Sequence, residues 1–271
     1  MLNIIGTGLY DFDDISLRAK HLIEESDIIY LEYYTSKLKY DSKEQLIDDF
    51  KKKFNTDLII AYRKDIENKE EDIMQDAKTQ NVTVLVIGDA ISATTHTELI
   101  LNAKQQDIKV NIVHNASVFN GVAVTGLQLY KFGKTASLVF EDTVQGKTWL
   151  PETPYKILRQ NKSIDAHTLF LLDINIDTDD ENFMTIPEAI DILLKLDKTY
   201  KDKYDDQSIF NEDTFVIGCA RLGNDDYFVK SGKAKDIIKM DFGQPLHCLI
   251  VPGTLHFIEE DMLEQYNKKD E

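Results

Sequence analysis

The chain has 271 residues, of which 42% are hydrophobic, and carries a formal charge of −17. That length sits near the point where one core splits into two, and the composition excludes disorder of the whole chain. So acidic a balance excludes nucleic acid as a partner, because that needs a basic footprint, and no apolar run reaches the length of a membrane span.

In chain order, Met1-Leu2-Asn3-Ile4-Ile5-Gly6 has no basic segment ahead of its apolar residues. It reads as a first strand and not as a secretion signal. Further strand-like runs follow at Ile28–Leu31, Leu58–Ala61, Val82–Ile87 and Val110–Val113. Between them lie amphipathic segments at Ile15–Glu25, Lys43–Phe54, Lys69–Lys78 and Thr95–Gln105. Apolar strands alternating with helices predict a parallel sheet covered on both faces. The second half predicts strands at Ser137–Phe140, Thr168–Ile174, Thr214–Ala220 and His247–Val251, and helices at Phe119–Tyr130, Pro154–Arg159, Ile186–Leu196 and Leu255–Tyr266. Its longer, polar connections predict a second α/β domain with a mixed sheet. The expected domains are therefore 1–115 and 116–271. Asp177–Asn182 and Thr199–Asp213 read as solvated loops or helix extensions.

The turns that follow the strands carry the chemistry. Gly6-Thr7-Gly8-Leu9 ends the first strand, and glycine there permits a sharp turn and a close backbone approach. Asp11 occupies the place where a dinucleotide fingerprint needs a third glycine, which disfavours a redox enzyme of that type. Gly88-Asp89-Ala90-Ile91-Ser92-Ala93-Thr94-Thr95-His96 closes the Val82–Ile87 run. Asp89 suits either a ligand or a turn cap. Thr94 and Thr95 suit helix caps, with Glu98 completing a capping box. His114-Asn115-Ala116-Ser117-Val118 is another strand-end loop, and Gly133 fits a helix C-cap. In the second half, Phe242-Gly243-Gln244-Pro245-Leu246 leads into His247. Open α/β sheets bind ligands outside the carboxyl ends of their strands, where these turns fall.

The six histidines, His21, His96, His114, His167, His247 and His256, are scattered, so no metal site is expected. No nucleophile elbow or Walker-type loop occurs. Cys219 and Cys248 lie in apolar runs and read as buried, reduced thiols, which fits a cytoplasmic location.

Taken together, these motifs resemble the diphthine synthase family, the methyltransferases of diphthamide biosynthesis, whose wider relatives are the tetrapyrrole methylases. The resemblance rests on Ile5-Gly6-Thr7-Gly8-Leu9 with Asp14-Ile15-Ser16-Leu17, on Tyr30-Leu31-Glu32-Tyr33-Tyr34-Thr35-Ser36, and on the Gly88–His96 and His114–Ser117 loops. It continues through Gly126–Gly133, Trp149 with Pro151–Pro154, and His167-Thr168-Leu169 with Leu171–Ile174. Ala220-Arg221 with Gly223, Phe242-Gly243 with Pro245-Leu246-His247, and Val251-Pro252-Gly253 complete it. It implies a two-domain tetrapyrrole-methylase-like α/β fold with a cofactor cleft between the domains. The implied reaction is successive methyl transfer from S-adenosylmethionine, leaving S-adenosylhomocysteine, to an aminocarboxypropyl-modified histidine of translation elongation factor 2. A homodimer is implied as well.

The cofactor contacts implied by the resemblance fall on Leu9, Asp89, Ser92, Ser117 and Val118, and in the second domain on Leu172, Leu222 and His247. Asp89 is expected to bind the polar end of the cofactor. Tyr10 and Ala90 depart from the family's usual glycine and proline, and Ser92 occupies a position that varies, which favours a backbone contact there. No catalytic base is assigned; His96, Asp89 and Tyr33 are candidates. The rival functions are a small-molecule tetrapyrrole methylase and a non-catalytic module that keeps the cofactor pocket.

Overall fold

The computed structural model describes every residue except 64, 66–69, 95, 145–146, 177–180, 206 and 269–271. Its chain divides into two units, Met1–Gly121 with Asn175–Glu181, and Val122–Ile174 with Asn182–Glu271.

The first unit is built on five parallel strands, β1 (Leu2–Gly6), β2 (Ile28–Glu32), β3 (Ile59–Ala61), β4 (Val82–Val86) and β5 (Val110–Val113), in the order β3-β2-β4-β1-β5. Leu2, Ile4, Val82, Val84 and Val86 turn one face toward α3 (Glu70–Thr79) and α4 (Thr97–Gln105), where Ile73, Met74, Ala77, Leu99 and Ala103 meet them. Side chains alternate along a strand. Ile5, Leu31 and Leu85 therefore face the other way, and they too are fully buried, so both faces are covered.

That second face also carries a polar ladder. Asn111 donates to Asn3, Asn3 donates to Thr83 Oγ1 at 3.1 Å, and the Thr83 hydroxyl meets Ser26 Oγ at 2.6 Å. Each partner is satisfied, as buried polar groups must be.

Helix ends follow local chemistry. Ser16 caps α1 (Leu17–Glu24) by accepting from the Ala19 amide, and Ser42 caps α2 (Lys43–Phe54) by accepting from Gln45. Asn55 closes α2 in the left-handed region, as Asn tolerates better than most residues. Phe12, Phe50 and Phe54 form an aromatic cluster beside this pair of helices.

In the second unit the mixed sheet is ordered β13-β12-β14-β9-β6. Its strands are β6 (Ala136–Leu138), β9 (Thr168–Leu172), β12 (Phe215–Ala220), β13 (Phe228–Lys233) and β14 (His247–Val251). A short ribbon, β7 (Asp142–Val144) with β8 (Lys147–Trp149), belongs to this unit, and a second, β10 (Ile174–Ile176) with β11 (Glu181–Phe183), is formed where the chain passes to the first unit's Asn175–Glu181 segment and back. Helices α5 (Thr153–Ser163) and α6 (Ile186–Tyr204) cover the core of this sheet through Tyr155, Leu158, Ile190 and Leu193. Thr185 and Glu188 form a full capping box on α6, which extends to Tyr204, so the start of the Thr199–Asp213 segment is a helix extension, one of the two expected readings. The last helix is α7 (Phe257–Lys268).

Two local expectations are corrected, and a third falls outside the described residues. The single helix expected over Phe119–Tyr130 is instead a chain of short turns, Val118–Gly121, Val122–Thr125 and Leu129–Lys131. Gly126 interrupts it with φ of 86°, and its bare Cα accommodates the Met262 side chain of α7. Gly133 consequently caps no helix; it stays small because a Cβ there would strike Asn161. The capping box at Thr95 lies on a residue outside those described, and α4 starts at Thr97 behind His96 with no side-chain cap.

Among the described residues, no helix is long and apolar enough to cross a membrane, and no three metal-ligating side chains cluster.

Candidate functional site

β4, β1 and β5 are neighbours in the first sheet, so the loops at their carboxyl ends are neighbours as well. Gly6 and Gly88 bring the first two together. A Cβ on Gly6 would lie 2.6 Å from the Gly88 carbonyl oxygen and 2.8 Å from the Ala90 nitrogen, so only glycine fits. The Gly8 amide donates to Gly88 O at 3.0 Å, and the Gly88 amide returns the bond to Gly8 O at 2.8 Å. Above Gly88 the space is open, since a Cβ there would meet only Ala116 O at 3.8 Å.

Three side chains fasten the loops. Asp14 Oδ2 accepts from the amides of Leu9 and Tyr10 at 3.2 and 3.0 Å, shaping the first loop. Asn115 donates through Nδ2 to Gly6 O and Asp14 O, and its Oδ1 accepts from the Ala116 amide. Asp89 joins the second loop to the third. Its Oδ1 accepts from Ile91 N and Ser92 N at 3.1 and 2.9 Å, and its Oδ2 accepts from Asn115 N at 3.0 Å and His114 Nδ1 at 2.9 Å. The carboxyl is buried, yet these donors hold it far below the usual carboxylate range. An ionised carboxylate only accepts, so Nδ1 of His114 carries the hydrogen.

The structure therefore brings together five of the sequence-predicted residues: Leu9, Asp89, Ser92, Ser117 and Val118. Leu9 and Ser92 commit their amides within the loops. Ser117 is buried, accepts from Phe119 N through Oγ, and donates its amide to Asn120 Oδ1. Val118 opens the helical turn that follows. Asp89 directs its carboxylate to donors of two loops and so holds their backbone in place.

Leu172, Leu222 and His247 lie in the second unit and share one end of its sheet. Ala220 pairs with His247 and Leu171 with Cys248, which sets the end of β9, the turn after β12 and the start of β14 side by side. Arg221, at φ of 51°, donates to Phe242 O and Gln244 O, both at 2.7 Å, and to Asp226 Oδ2. It staples the Gly243 turn to that end of the sheet. His247 Nε2 meets Gln244 O at 3.1 Å, while its buried Nδ1 has no hydrogen-bond partner. Burial lowers the pKa of this imidazole, so it is neutral at physiological pH.

Reading the sequence missed the fastening roles of Asp14 and Asn115, although both stand inside the motifs singled out. An Asp a few residues past a Gly-x-Gly turn was the available signal.

Residues 1–235 match the family model of the tetrapyrrole (corrin/porphyrin) methylases. The chain is 40% identical over 264 residues to a diphthine synthase of Methanocaldococcus jannaschii, covering 97% of this chain and 98% of that one. The chain belongs to the tetrapyrrole methylase family. It is 38% identical to a probable diphthine methyl ester synthase of Arabidopsis thaliana, with 99% of each chain covered. A solved crystal structure of diphthine synthase matches with a TM-score of 0.83 and 33% identity, over 98% of this chain and 95% of that one. The architecture, a parallel five-stranded sheet followed by a mixed one, is that of this methylase family.

The first-unit loops suit a methyl-donor cofactor of the kind this family uses: there is no Cβ over Gly88, and the backbone is fixed by internal side chains.

Proposed function

We propose that this chain methylates an aminocarboxypropyl-modified histidine of translation elongation factor 2, using S-adenosylmethionine, within diphthamide biosynthesis. The observation that carries the reading is near-complete coverage, at 38 to 40% identity, of relatives whose names specify diphthine chemistry. The Gly6–Tyr10, Gly88–Ser92 and His114–Val118 loops hold the cofactor on the first unit. Leu172, Leu222 and His247 are the candidate contacts of the second unit.

When bound, the cofactor supplies an already activated methyl group, so the protein need provide no nucleophile. What the residues must provide is position. Holding an amine in line with a methyl carbon is worth about 7–11 kcal/mol when the geometry is ideal. The fastened loops suit that task, because each turn is tied to another by a side chain that has no freedom to drift. An anion close to the sulfur would stabilise the ground state and slow transfer. Asp89 avoids this by facing backbone amides and His114.

The enzyme works as a homodimer in the cytoplasm on this reading; two buried free cysteines, Cys219 and Cys248, are compatible with a reducing compartment. Incubation with elongation factor 2 carrying the unmethylated modification and labelled methyl donor tests it. Mass spectrometry of the histidine peptide should show stepwise methylation, and its pattern separates amine methylation from ester formation. Transfer to a uroporphyrinogen-like compound instead would favour a small-molecule methylase. Tight binding of S-adenosylhomocysteine with no turnover would favour a non-catalytic module.

A further inference from the structure

Glu32 and His96 meet inside the first unit and take no part in fastening the loops. Glu32 ends β2 opposite Val86 of β4, at the same sheet edge as Gly6 and the Gly88–Ser92 turn. His96 stands immediately before α4. The two side chains are almost wholly buried, at 0% and 2% exposure by residue.

Each is half committed. Glu32 Oε1 accepts from the Thr35 amide at 3.0 Å and from the Thr35 hydroxyl at 2.5 Å. His96 Nδ1 meets Thr94 Oγ1 at 2.8 Å. The other two atoms, Glu32 Oε2 and His96 Nε2, have no hydrogen-bond partner and lie 3.6 Å apart. Leaving two buried polar atoms unpaired is costly. They can satisfy one another only with a proton between them. Bonds of this kind are often long before substrate binds and tighten afterwards.

We propose that Thr94, His96 and Glu32 form a proton relay that takes up a proton released when the acceptor amine is methylated. The proposal rests on the methyltransferase reading above. An amine gives up one proton for each methyl it gains. In the receiving state Glu32 is ionised and His96 carries its hydrogen on Nε2. The incoming proton binds Thr94 Oγ1, whose own proton passes to His96 Nδ1. The Nε2 hydrogen then moves to Glu32 Oε2. The result is a neutral carboxylic acid and the opposite imidazole tautomer; loss of the proton to solvent by the reverse path resets the pair. Thr94 is half-buried, and so is the outer member of the chain.

The charges around the pair suit this cycle. Burial raises Glu32 to about 7, while Thr35 and the Arg63 cation oppose the rise. Burial lowers His96 to about 4, so the ring stays neutral throughout. The Tyr34 amide, two residues on from Glu32, also opposes the rise by hydrogen bonding to the carboxyl, and the Tyr34 ring lies under Arg63.

Nitrogen-15 NMR of the His96 ring in the intact protein is the first test. The imidazole should switch tautomer over roughly pH 5–9, and Glu32→Gln should abolish the switch. The second test is the pH–rate profile of methyl transfer. Glu32→Gln should lower the rate about 10²-fold near neutrality and remove the limb near pH 7, with S-adenosylhomocysteine affinity within about twofold of the parent. Thr94→Val keeps the buried pair and should slow transfer in the same direction, which covers the case in which the Glu32 variant fails to fold. A His96 tautomer that never changes, or a Glu32→Gln enzyme with the parental profile, overturns the relay. A parent protein that switches tautomer but methylates no acceptor overturns the methyltransferase reading instead.

Discussion

Asp89 illustrates how a single side chain can organise the backbone of two loops. Its carboxylate serves four donors from two loops. Replacing it with Asn keeps Oδ1 but turns an amide nitrogen toward the Asn115 N–H and His114. Asp89→Asn should therefore cost about 2–4 kcal/mol in stability, because it leaves charge-assisted bonds unmade. It should also weaken S-adenosylhomocysteine at least about tenfold, since 1.4 kcal/mol of lost organisation already reaches that factor. Thermal melts and calorimetric titration check the two effects. The sign of the pH dependence follows from the depressed pKa. Stability from Asp89 is fully present above the unfolded value near 3.8 and fades as acidification protonates the folded carboxyl. Asn115→Ala is milder at the carboxylate, because the Asn115 amide stays. It releases Gly6 O and Asp14 O, and should raise the dissociation constant for the same ligand with little change in melting temperature.

At the scale of elements, the packed and the open glycine behave differently. Gly6→Ala drives a methyl group into the Gly88 carbonyl, the Asp89 Cα and the Ala90 nitrogen, all of them backbone that cannot swing away. It should separate the β1 and β4 loops and abolish cofactor binding, measured by titration, even if the fold survives. The same elements show what a linear reading can deliver. Val82–Val86 and Leu2–Gly6 are legible because they are buried on both faces and read as unbroken apolar runs. β13 was not foreseen. It is an edge strand that buries chiefly Val229 and Ser231 and exposes lysine, as edges do to discourage pairing. The turns over Val118–Lys131 carry helix-like spacing, but Gly126 turns with φ of 86° where a Cβ would strike Met262 of a distant helix. Spacing cannot report a contact of that range.

Across the whole molecule, the two units are stabilised by different devices. The second contains Glu259, wholly buried, which accepts from Gln128 N, Lys131 Nζ, His256 N and His167 Nε2. It ties a loop, the start of β9 and the start of α7 together. Those donors lower its pKa from 4.5 to about 2. Its stabilisation is present above about pH 4.5 and is lost as pH falls through about 2, a window that acid titration of folding should reveal. Glu259→Ala leaves His167 Nε2 and two amides without their acceptor and Lys131 with only Thr254 O, and should cost about 3–5 kcal/mol by chemical denaturation. None of this was legible beforehand, because four donors dispersed along the chain share no local pattern. The strand-end loops were legible, since the position of a turn after an apolar run is a local fact. Which side chain ties which loop was not, because Asp14, Asp89 and Asn115 look like ordinary turn residues until the sheet order makes them neighbours.

The Asn111–Asn3–Thr83 ladder bears on the same loops from inside the sheet. Parallel strands of aliphatic residues are nearly indifferent to sliding past one another, and a slip of a single residue reverses every side chain. Here such a slip would strand two amides and a hydroxyl among hydrocarbon. The three polar rungs thus act as a vernier, admitting one alignment of β4, β1 and β5. Their carboxyl ends then arrive level, and Gly6, Gly88 and Asn115 can interlock.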